Sequence, residues 1–391
     1  MKILFITDNF LPHVGGSRVI YYNICRNLPK DSVVMLTKKV PGYREFDKRQ
    51  EFKIIRANFW TLPWKWLKIY ELPLYLFMFL YGLTLALKEK IDIIHCGEAL
   101  PSGLVGFILG RILNRPYIVY AHAEDITIVS GLRTEGRVLK YVLKKSSRII
   151  SSSSFVRDFI TGLGIDGRKI SVVLPAIDDA FLTDEAGDIN RLKAALGISG
   201  RKIVLSVCRL IERKGIDRVI LALPDVLKSV PDLLYLIIGD GPQRHKLESL
   251  VKEKSLEAYV RFLGEFKHNE LHPYYRACDL FVMPNRKLDN NDVEGFGVVF
   301  IEAGAFAKPV IGGDTGGSGD SIKPGVTGLR VNSEEPRELS REMVGLLTDA
   351  AYAKRLGEAG RERVINGFRW PQRAKQVYDI SQDVINQYRQ R

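Results

Sequence analysis

The chain has 391 residues, more than a single hydrophobic core usually supports, so its length predicts two domains. The formal net charge is +13, and residues 1–180 carry +10 of it through 26 Lys and Arg against 16 Asp and Glu. The basic residues do not form a stripe with stacking aromatics, which disfavours a nucleic acid as partner. An anionic membrane surface and ordinary solvation remain as explanations of the excess.

Strand-like runs alternate with helical stretches along the chain, which is typical of parallel sheets wound with helices on both faces. Proline, acidic and small residues replace the apolar period at 174–191 and mark a linker. We therefore predict an α/β protein with doubly wound domains at 1–180 and 181–370, followed by a helix at 371–391. The predicted strands are KILFIT, SVVMLT, KIIRA, DIIHC, YIVYAH, RIISSSS, KIVLSV, LYLIIG, VRFLG, LFVMP and KPVIGG.

The opening run MKILFITDNF reads as a first strand and not as a secretion signal, because Asp8 and Asn9 interrupt it. The four cysteines lie far apart and do not have the spacing of a metal site. Both observations favour a cytoplasmic protein whose cysteines are reduced.

The turn after the first strand, DNFLPHVGGS, leads into a helical stretch. Gly15 and Gly16 before Ser17 would leave backbone N–H groups open at a helix N-terminus, where a phosphate or a sugar hydroxyl can bind. The alternative is a plain tight turn.

Residues 59–90 combine an uncharged stretch, 72–87, with a preceding cluster of tryptophan and lysine. The uncharged stretch is too short to span a bilayer comfortably, but the cluster suits the headgroup level of a membrane. We expect peripheral contact with an anionic membrane here, and the alternative is a helix packed on its own sheet. The cluster comprises Trp60, Trp64, Lys65, Trp66 and Lys68.

Polar side chains follow two further strands. His122, with Glu124 and Asp125, emerges from YIVYAH, where a structural histidine is the alternative to a functional one. Arg209, Arg213 and Lys214 lie between KIVLSV and the next helix. Cations near the N-terminus of a helix interact unfavourably with the helix dipole, by roughly 0.3–1 kcal/mol. A bound anion such as a diphosphate would make the interaction favourable.

The segment EGFGVVFIE carries Glu294 in a loop and Glu302 inside an otherwise apolar helical run. An unpaired buried carboxylate costs several kcal/mol. Both glutamates suit the vicinal diols of a sugar or ribose, so we expect a ligand hydroxyl pair, rather than the protein, to complete the hydrogen bonding of Glu302.

Taken together, VGGS, AHAED, RLIERKG, GDGP, FLG and EGFGVVFIE closely resemble motifs of the retaining glycosyltransferases of family 4. Within that family the chain looks most similar to bacterial mannosyltransferases that act on lipids or lipid-linked glycans. The resemblance implies the GT-B fold, in which two Rossmann-like domains face each other across a cleft. The N-terminal domain would receive the acceptor, the C-terminal domain would bind the sugar nucleotide, and the last helix would cross back to the first domain.

Carried over by position, the resemblance also implies roles for individual residues. Arg209 and Lys214 would hold the diphosphate, Glu294 the donor sugar and Glu302 the ribose. His122 would lie against the sugar near the reacting carbon. The remaining donor-binding residues would be Gly15 and Gly16, the backbone of Phe296, Gly297 and Val298, and, near the base, Arg261, Phe262 and Leu263.

The implied reaction is transfer of a hexose, with mannose from GDP-mannose as the first choice and a UDP-sugar as the other, to a lipid-linked or glycan acceptor. It would serve cell-envelope polysaccharide synthesis on the inner face of the membrane. No cofactor or metal is expected, because Arg209 and Lys214 can neutralise the leaving diphosphate. Two alternatives stay open: a sugar-nucleotide epimerase of the same architecture, and a catalytically silent, membrane-tethered sugar-binding module.

Overall fold

In a computed structural model of the chain, the structure is described for residues 1–12, 15–59, 72–182 and 189–390. The chain divides into two compact units. The first contains Met1–Pro175 and Trp370–Arg391, and the second contains Ala176–Arg369. The boundary predicted at residue 180 therefore lies within the second unit, and the dividing point falls inside the segment 174–191.

The first unit is built on a seven-stranded parallel sheet with the order β3-β2-β1-β4-β5-β6-β7. Its central strands are fully buried and, apart from His95 on β4, made of apolar and aromatic residues, as expected for a sheet covered by helices on both faces. The strands are β1 Ile3–Ile6, β2 Val33–Lys38, β3 Lys53–Ala57, β4 Ile93–Cys96, β5 Tyr117–Ala121, β6 Arg148–Ser151 and β7 Ile170–Val172.

Eight α-helices belong to this unit in the described ranges. They are α1 Gly16–Arg26, α2 Tyr43–Asp47, α3 Leu72–Lys88, α4 Leu104–Leu113, α5 Ala123–Thr127, α6 Glu135–Lys145, α7 Ser154–Gly162 and the last helix of the chain, α16 Trp370–Arg389. The predicted C-terminal helix is thus present and starts one residue before Pro371. The hydroxyl of Ser381 on α16 lies 3.1 Å from Nε2 of His95 on β4.

The second unit has a six-stranded parallel sheet with the order β10-β9-β8-β11-β12-β13. Its strands are β8 Lys202–Val207, β9 Leu233–Ile238, β10 Val260–Gly264, β11 Leu280–Met283, β12 Val310–Gly313 and β13 Leu329–Val331. Its helices are α8 Ile189–Leu196, α9 Ile216–Leu227, α10 Arg244–Glu253, α11 His272–Ala277, α12 Val298–Ala305, α13 Ser318–Ser321, α14 Pro336–Thr348 and α15 Ala350–Gly367.

The two sheets confirm the predicted doubly wound architecture, and each contains one point where the strand order reverses. The reversal lies between β1 and β4 in the first unit and between β8 and β11 in the second. Ligands of open α/β sheets bind outside the carboxyl ends of the strands at such points. The loops that follow these four strands are therefore the places to examine for function.

The sequence-based strand list omitted β7 and β13. Each has three residues and forms an edge of its sheet, so neither carries an apolar run long enough to be read as a strand. In the described ranges, no helix combines the length and apolar character needed to cross a bilayer.

Candidate functional site

The loop after β8 brings the predicted cations of the second unit to the reversal point of its sheet. Arg209 is exposed, and its guanidinium makes no ion pair or hydrogen bond within the described residues. Lys214 ends a short 3₁₀ turn, and Gly215 follows with φ of 71° at the start of α9. A Cβ at Gly215 would collide with the carbonyl oxygen of Pro284, so this approach of the two loops requires glycine.

Lys214 forms an ion pair with Glu294, which lies in the loop after β11. Both side chains are nearly buried, at 14% and 10% exposure. Burial acts to raise the pKa of Glu294, but Lys214 and then Arg213 outweigh it and hold that pKa at about 2. Glu294 is therefore ionised at neutral pH, and Arg213 is itself fixed by Asp292 at 2.8 Å.

The backbone after Glu294 opens helix α12. Gly297, with φ of 81°, precedes its first residue, Val298. The Phe296 side chain is buried, and its carbonyl accepts a hydrogen bond of 2.7 Å from Ser321. The first N–H groups of a helix have no partner within it, so the start of α12 suits an anion or a hydroxyl oxygen.

The expectation that a ligand completes the hydrogen bonding of Glu302 is wrong. Glu302 is buried in α12, and the hydroxyl of Tyr275 donates to Oε2 at 2.7 Å. Nε2–H of His268 donates to Oε1 at 2.9 Å. The protein therefore supplies both partners that make the buried carboxylate tolerable, and they come from other elements of the chain.

The predicted base-contacting residues lie on β10, an edge strand separated from β8 by β9. The guanidinium of Arg261 donates to the carbonyl of Leu196 at the end of α8. The guanidinium carbon of Arg244 lies 5.6 Å from the ring centroid of Phe262. Leu263 follows on the same strand and is only partly buried. The strand that carries these residues is therefore not a neighbour of β8 or β11, the strands that precede Lys214 and Glu294.

In the first unit, Gly15 and Gly16 lie at the start of α1. A Cβ built at Gly16 would meet nothing within 4 Å, whereas one built at Gly15 would lie 3.4 Å from the Arg18 side chain. The Trp60 to Lys68 cluster falls outside the described residues.

His122 precedes α5 at the carboxyl end of β5, and its backbone N–H donates to Asp125 at 2.9 Å. Nε2 of the ring is buried and has no hydrogen-bond partner among the residues described. Burial lowers the pKa of His122 to about 4, so the imidazole is neutral at neutral pH. A neutral ring with a free nitrogen can hydrogen-bond a ligand hydroxyl.

Glu98, which the sequence analysis did not single out, follows β4 at the reversal point of the first sheet. It is 7% exposed and accepts hydrogen bonds from the Thr7 hydroxyl at 2.9 Å and the Asp8 amide at 3.4 Å. Burial, and then the charge of Asp8, raise its pKa well above the usual range. An acid two residues after the strand run DIIHC was the available signal.

In comparison with known proteins, both halves of the chain match glycosyltransferases. The model of Glycosyltransferase Family 4 matches residues 14–181, and that of Glycosyl transferases group 1 matches residues 188–363. A GDP-mannose-dependent alpha-(1-6)-phosphatidylinositol monomannoside mannosyltransferase of Mycobacterium tuberculosis is 31% identical over 295 residues, covering 75% of this chain and 76% of that protein.

An uncharacterized glycosyltransferase of Methanocaldococcus jannaschii is 27% identical over 362 residues and covers 93% of both chains. Among solved structures, Anabaena HepE in complex with UDP superposes with a TM-score of 0.82 at 20% identity, covering 98% of this chain and 100% of the other. The predicted family is thereby confirmed: the chain belongs to glycosyltransferase family 4 and is a glycosyltransferase of the GT-B fold.

Proposed function

We propose that the protein is a retaining, metal-independent hexosyltransferase that moves mannose from GDP-mannose to a lipid-linked or membrane-associated glycan. The observation that carries the proposal is the placement of Arg209 and Lys214 at the reversal point of the second sheet, beside the start of α9. Two cations and a helix N-terminus form a site for a diphosphate.

Of the two cations that would bind the diphosphate, Arg209 is free within the described part of the chain and Lys214 is shared with Glu294. Arg209 is exposed without an ion-pair partner in the described ranges, whereas Lys214 is already paired with Glu294. A donor that enters would compete with Glu294 for Lys214, and Glu294 would then accept hydrogen bonds from the sugar hydroxyls. We assign the start of α12, at Phe296, Gly297 and Val298, to the same sugar and its phosphate.

Glu302 is proposed to bind the ribose. The hydroxyl of Tyr275 and the imidazole of His268 occupy one position on each carboxylate oxygen. An ionised carboxylate offers about four lone-pair sites, so the ribose diol can still bind. The two protein donors then orient the carboxylate, and His268 is 52% exposed on its outer side.

The chemistry follows from charge. Cleavage of the glycosyl phosphate bond leaves negative charge on the diphosphate, and Arg209 with Lys214 stabilises it. In family 4 the acceptor is usually taken to attack the face from which the phosphate departs, and that phosphate takes up the acceptor proton. His122, neutral and with a free Nε2, is assigned to a hydroxyl of the reacting sugar.

The choice of donor and acceptor rests on relatives. The mycobacterial relative is named as GDP-mannose-dependent and as acting on a phosphatidylinositol mannoside, whereas Anabaena HepE binds UDP. GDP-mannose is therefore the first donor to test and a UDP-sugar the second.

A lipid acceptor would keep the protein on the inner, anionic face of the cell membrane. The +10 charge of residues 1–180 supports that location. The aromatic and basic cluster supports it too and contains Trp60, Trp64, Lys65, Trp66 and Lys68.

A thermal-shift panel of GDP-mannose, UDP-glucose and ADP-glucose tests the donor. A ligand that binds only the folded chain stabilises it by about 2.7 kcal/mol at 100 times its Kd. We expect GDP-mannose to raise the melting temperature most and to do so equally with EDTA present. A panel in which none of the three sugar nucleotides shifts the melting temperature would overturn the proposal.

A further inference from the structure

A buried cation lies beside the proposed diphosphate site in the second unit. Arg286 belongs to the loop after β11, and its side chain is only 8% exposed. Its guanidinium donates to a carboxylate oxygen of Asp217 at 2.9 Å and to one of Glu212 at 3.2 Å. Burying a cation is unfavourable unless acids pair with it, so these two acids are what makes the position of Arg286 tolerable.

Both acids belong to the segment that carries the predicted phosphate-binding cations. Glu212 is the first residue of the 3₁₀ turn that ends at Lys214. Asp217 lies in the first turn of α9, where an acid interacts favourably with the helix dipole. The same carboxylate would repel a diphosphate bound at this helix start, because charges in a partly buried site are poorly screened. An uncompensated Asp217 would therefore weaken the site that Arg209 and Lys214 are proposed to form.

Arg286 supplies the compensating charge and also fixes the turn. Its backbone N–H donates to the carbonyl of Arg213 at 2.8 Å, so the main chain and the side chain of one residue both hold the segment 212–217. A second cation, Arg218, lies 3.7 Å from Asp217, which is beyond hydrogen-bond distance, and its side chain is 25% exposed. Arg286 is thus the closer and more deeply buried of these two cations.

The ion pairs between the loops after β8 and β11 differ in what a bound donor would do to them. Lys214 is paired with Glu294, and the proposed donor would compete for Lys214. The buried Arg286 can stay paired with Asp217 when the Lys214–Glu294 contact opens. The turn would then keep its position while Lys214 exchanges a carboxylate for a phosphate.

We propose that Arg286 is a positioning residue of the diphosphate site. It keeps the start of α9 attractive to an anion, and it holds the turn that ends at Lys214. The inference rests on the proposed function, because it requires a nucleoside diphosphate at Arg209 and Lys214. Arg286 acts through Asp217 and the turn and is not itself assigned to the donor.

Calorimetric titration of GDP and guanosine into variants of the full chain tests the proposal. Arg286→Gln leaves the charge of Asp217 uncompensated, so it should bind GDP at least about tenfold more weakly than wild type. Guanosine carries no phosphate and should bind the two proteins with affinities within about twofold of each other. Lys228→Gln is the matched control, because it removes the same charge at the other end of α9 and should bind GDP like wild type.

The double variant Arg286→Gln with Asp217→Asn separates charge from packing. It removes the repelling carboxylate and should recover most of the GDP affinity, whereas a merely structural role of Arg286 would leave the affinity low. Arg286→Lys keeps the charge and should bind GDP more tightly than Arg286→Gln. If Arg286→Gln does not fold, Asp217→Asn alone decides: it should bind GDP at least as tightly as wild type, and weaker binding would overturn the proposal.

The outcomes separate this inference from the proposed function. Equal GDP affinity of wild type and Arg286→Gln would overturn the inference and leave the proposed function intact. Equal losses of GDP and guanosine affinity, or no recovery in the double variant, would also overturn it, because the effect would then not depend on phosphate or charge. A wild type that binds UDP in place of GDP would contradict only the choice of donor, and UDP and uridine would then replace GDP and guanosine. A wild type that binds no nucleoside diphosphate would contradict the proposed function and with it this role of Arg286.

Discussion

The two glutamates of the segment EGFGVVFIE are both buried, but their partners differ in kind. Glu294 is paired with the cation Lys214, and its pKa is held at about 2. Glu302 is held by the neutral hydroxyl of Tyr275 and by the imidazole of His268. A substitution at Glu294 therefore disturbs a charge pair, whereas one at Glu302 disturbs a hydrogen-bond network.

Replacing Glu302 by glutamine should weaken donor binding by about 1.5–3 kcal/mol, because a charge-assisted bond to the ribose becomes a neutral one. The fold should persist, since the amide can still accept from Tyr275. Calorimetric titration with GDP-mannose measures the effect. Tyr275→Phe is the matched control, since it removes one protein donor and keeps the carboxylate; donor affinity equal in wild type and Glu302→Gln would refute the ribose assignment.

Arg209→Ala and Lys214→Ala should both abolish most turnover, but they should differ in stability. Arg209 is exposed without an ion pair in the part of the chain that the structure describes, so its loss should change the unfolding free energy by less than about 0.5 kcal/mol. Loss of Lys214 leaves Glu294 buried and unpaired, which typically costs about 3–5 kcal/mol. Urea unfolding and initial rates measure the two effects.

The double variant Lys214→Ala with Glu294→Gln should regain stability, because it removes the unpaired charge. It should not regain turnover, because the cation that the leaving diphosphate requires is still missing. Activity of the wild type should survive a metal chelator. Loss of turnover on chelation, with recovery on adding metal, would contradict the cation-only mechanism.

The pair His268–Glu302 should make stability depend on pH. Burial lowers the pKa of His268, but the hydrogen bond and charge of Glu302, with Asp178, raise it overall above the usual value of about 6.5. His272, on the next helix, opposes that charge. A raised folded pKa stabilises the protein fully below the unfolded pKa, and the contribution is lost as pH rises through the folded pKa.

Melting temperatures of wild type and His268→Gln across pH 5.5–8.5, a range of about 3 units around the histidine pKa, measure this dependence. The melting temperature of the wild type should exceed that of the variant at low pH, and this difference should shrink as pH rises. A constant difference between the two proteins would show that His268 does not change its charge on folding.

At the residue level, sequence motifs predicted Arg209, Lys214, Glu294 and Glu302 because each lies in a short, recognisable segment. The partners of Glu302 were not predictable, since Tyr275 and His268 lie 27 and 34 positions away. Glu98 was missed because its partner Thr7 is 91 positions distant and only the β1–β4 pairing brings the two together.

Helices α9 and α12 start at equivalent positions, each after a reversal-point strand and each from a left-handed glycine. Gly215 has φ of 71° and Gly297 has φ of 81°. These glycines direct the starts of both helices and fix the turn that carries Lys214. The alternation of apolar runs predicted the strands before these turns, whereas β7 and β13 escaped because three edge residues carry no periodic signal.

Gly215→Ala should destabilise the protein by more than about 1 kcal/mol and lower donor affinity, because its Cβ would collide with Pro284 and φ is unfavourable for alanine. Gly345→Ala in α14 is the matched control, since a Cβ there meets nothing within 4 Å, and it should stabilise the protein by about 0.5–1 kcal/mol. Equal stability of the two variants would contradict the account of the α9 start. Thermal unfolding with and without GDP measures both quantities.

At the scale of the whole molecule, the two units share one architecture but differ in charge and in the chemistry at their reversal points. The first carries most of the net charge, a buried acid at Glu98 and a neutral His122. The second carries the cations Arg209 and Lys214 beside two helix starts. We therefore propose the second unit as the site of an anionic donor and the first as the site of an acceptor presented at an anionic surface.

The central claim is that Arg209 and Lys214 form a diphosphate site, and calorimetric titration of GDP into wild type and Arg209→Ala, with EDTA present, tests it most directly. Removal of one charge-assisted phosphate contact costs about 1.5–3 kcal/mol, so Arg209→Ala should bind GDP at least tenfold more weakly than wild type. Val326→Ser, which changes an exposed residue of the same unit, should bind like wild type. Equal affinity of Arg209→Ala and wild type for GDP, or no binding of GDP, UDP or ADP by the wild type, would contradict the account.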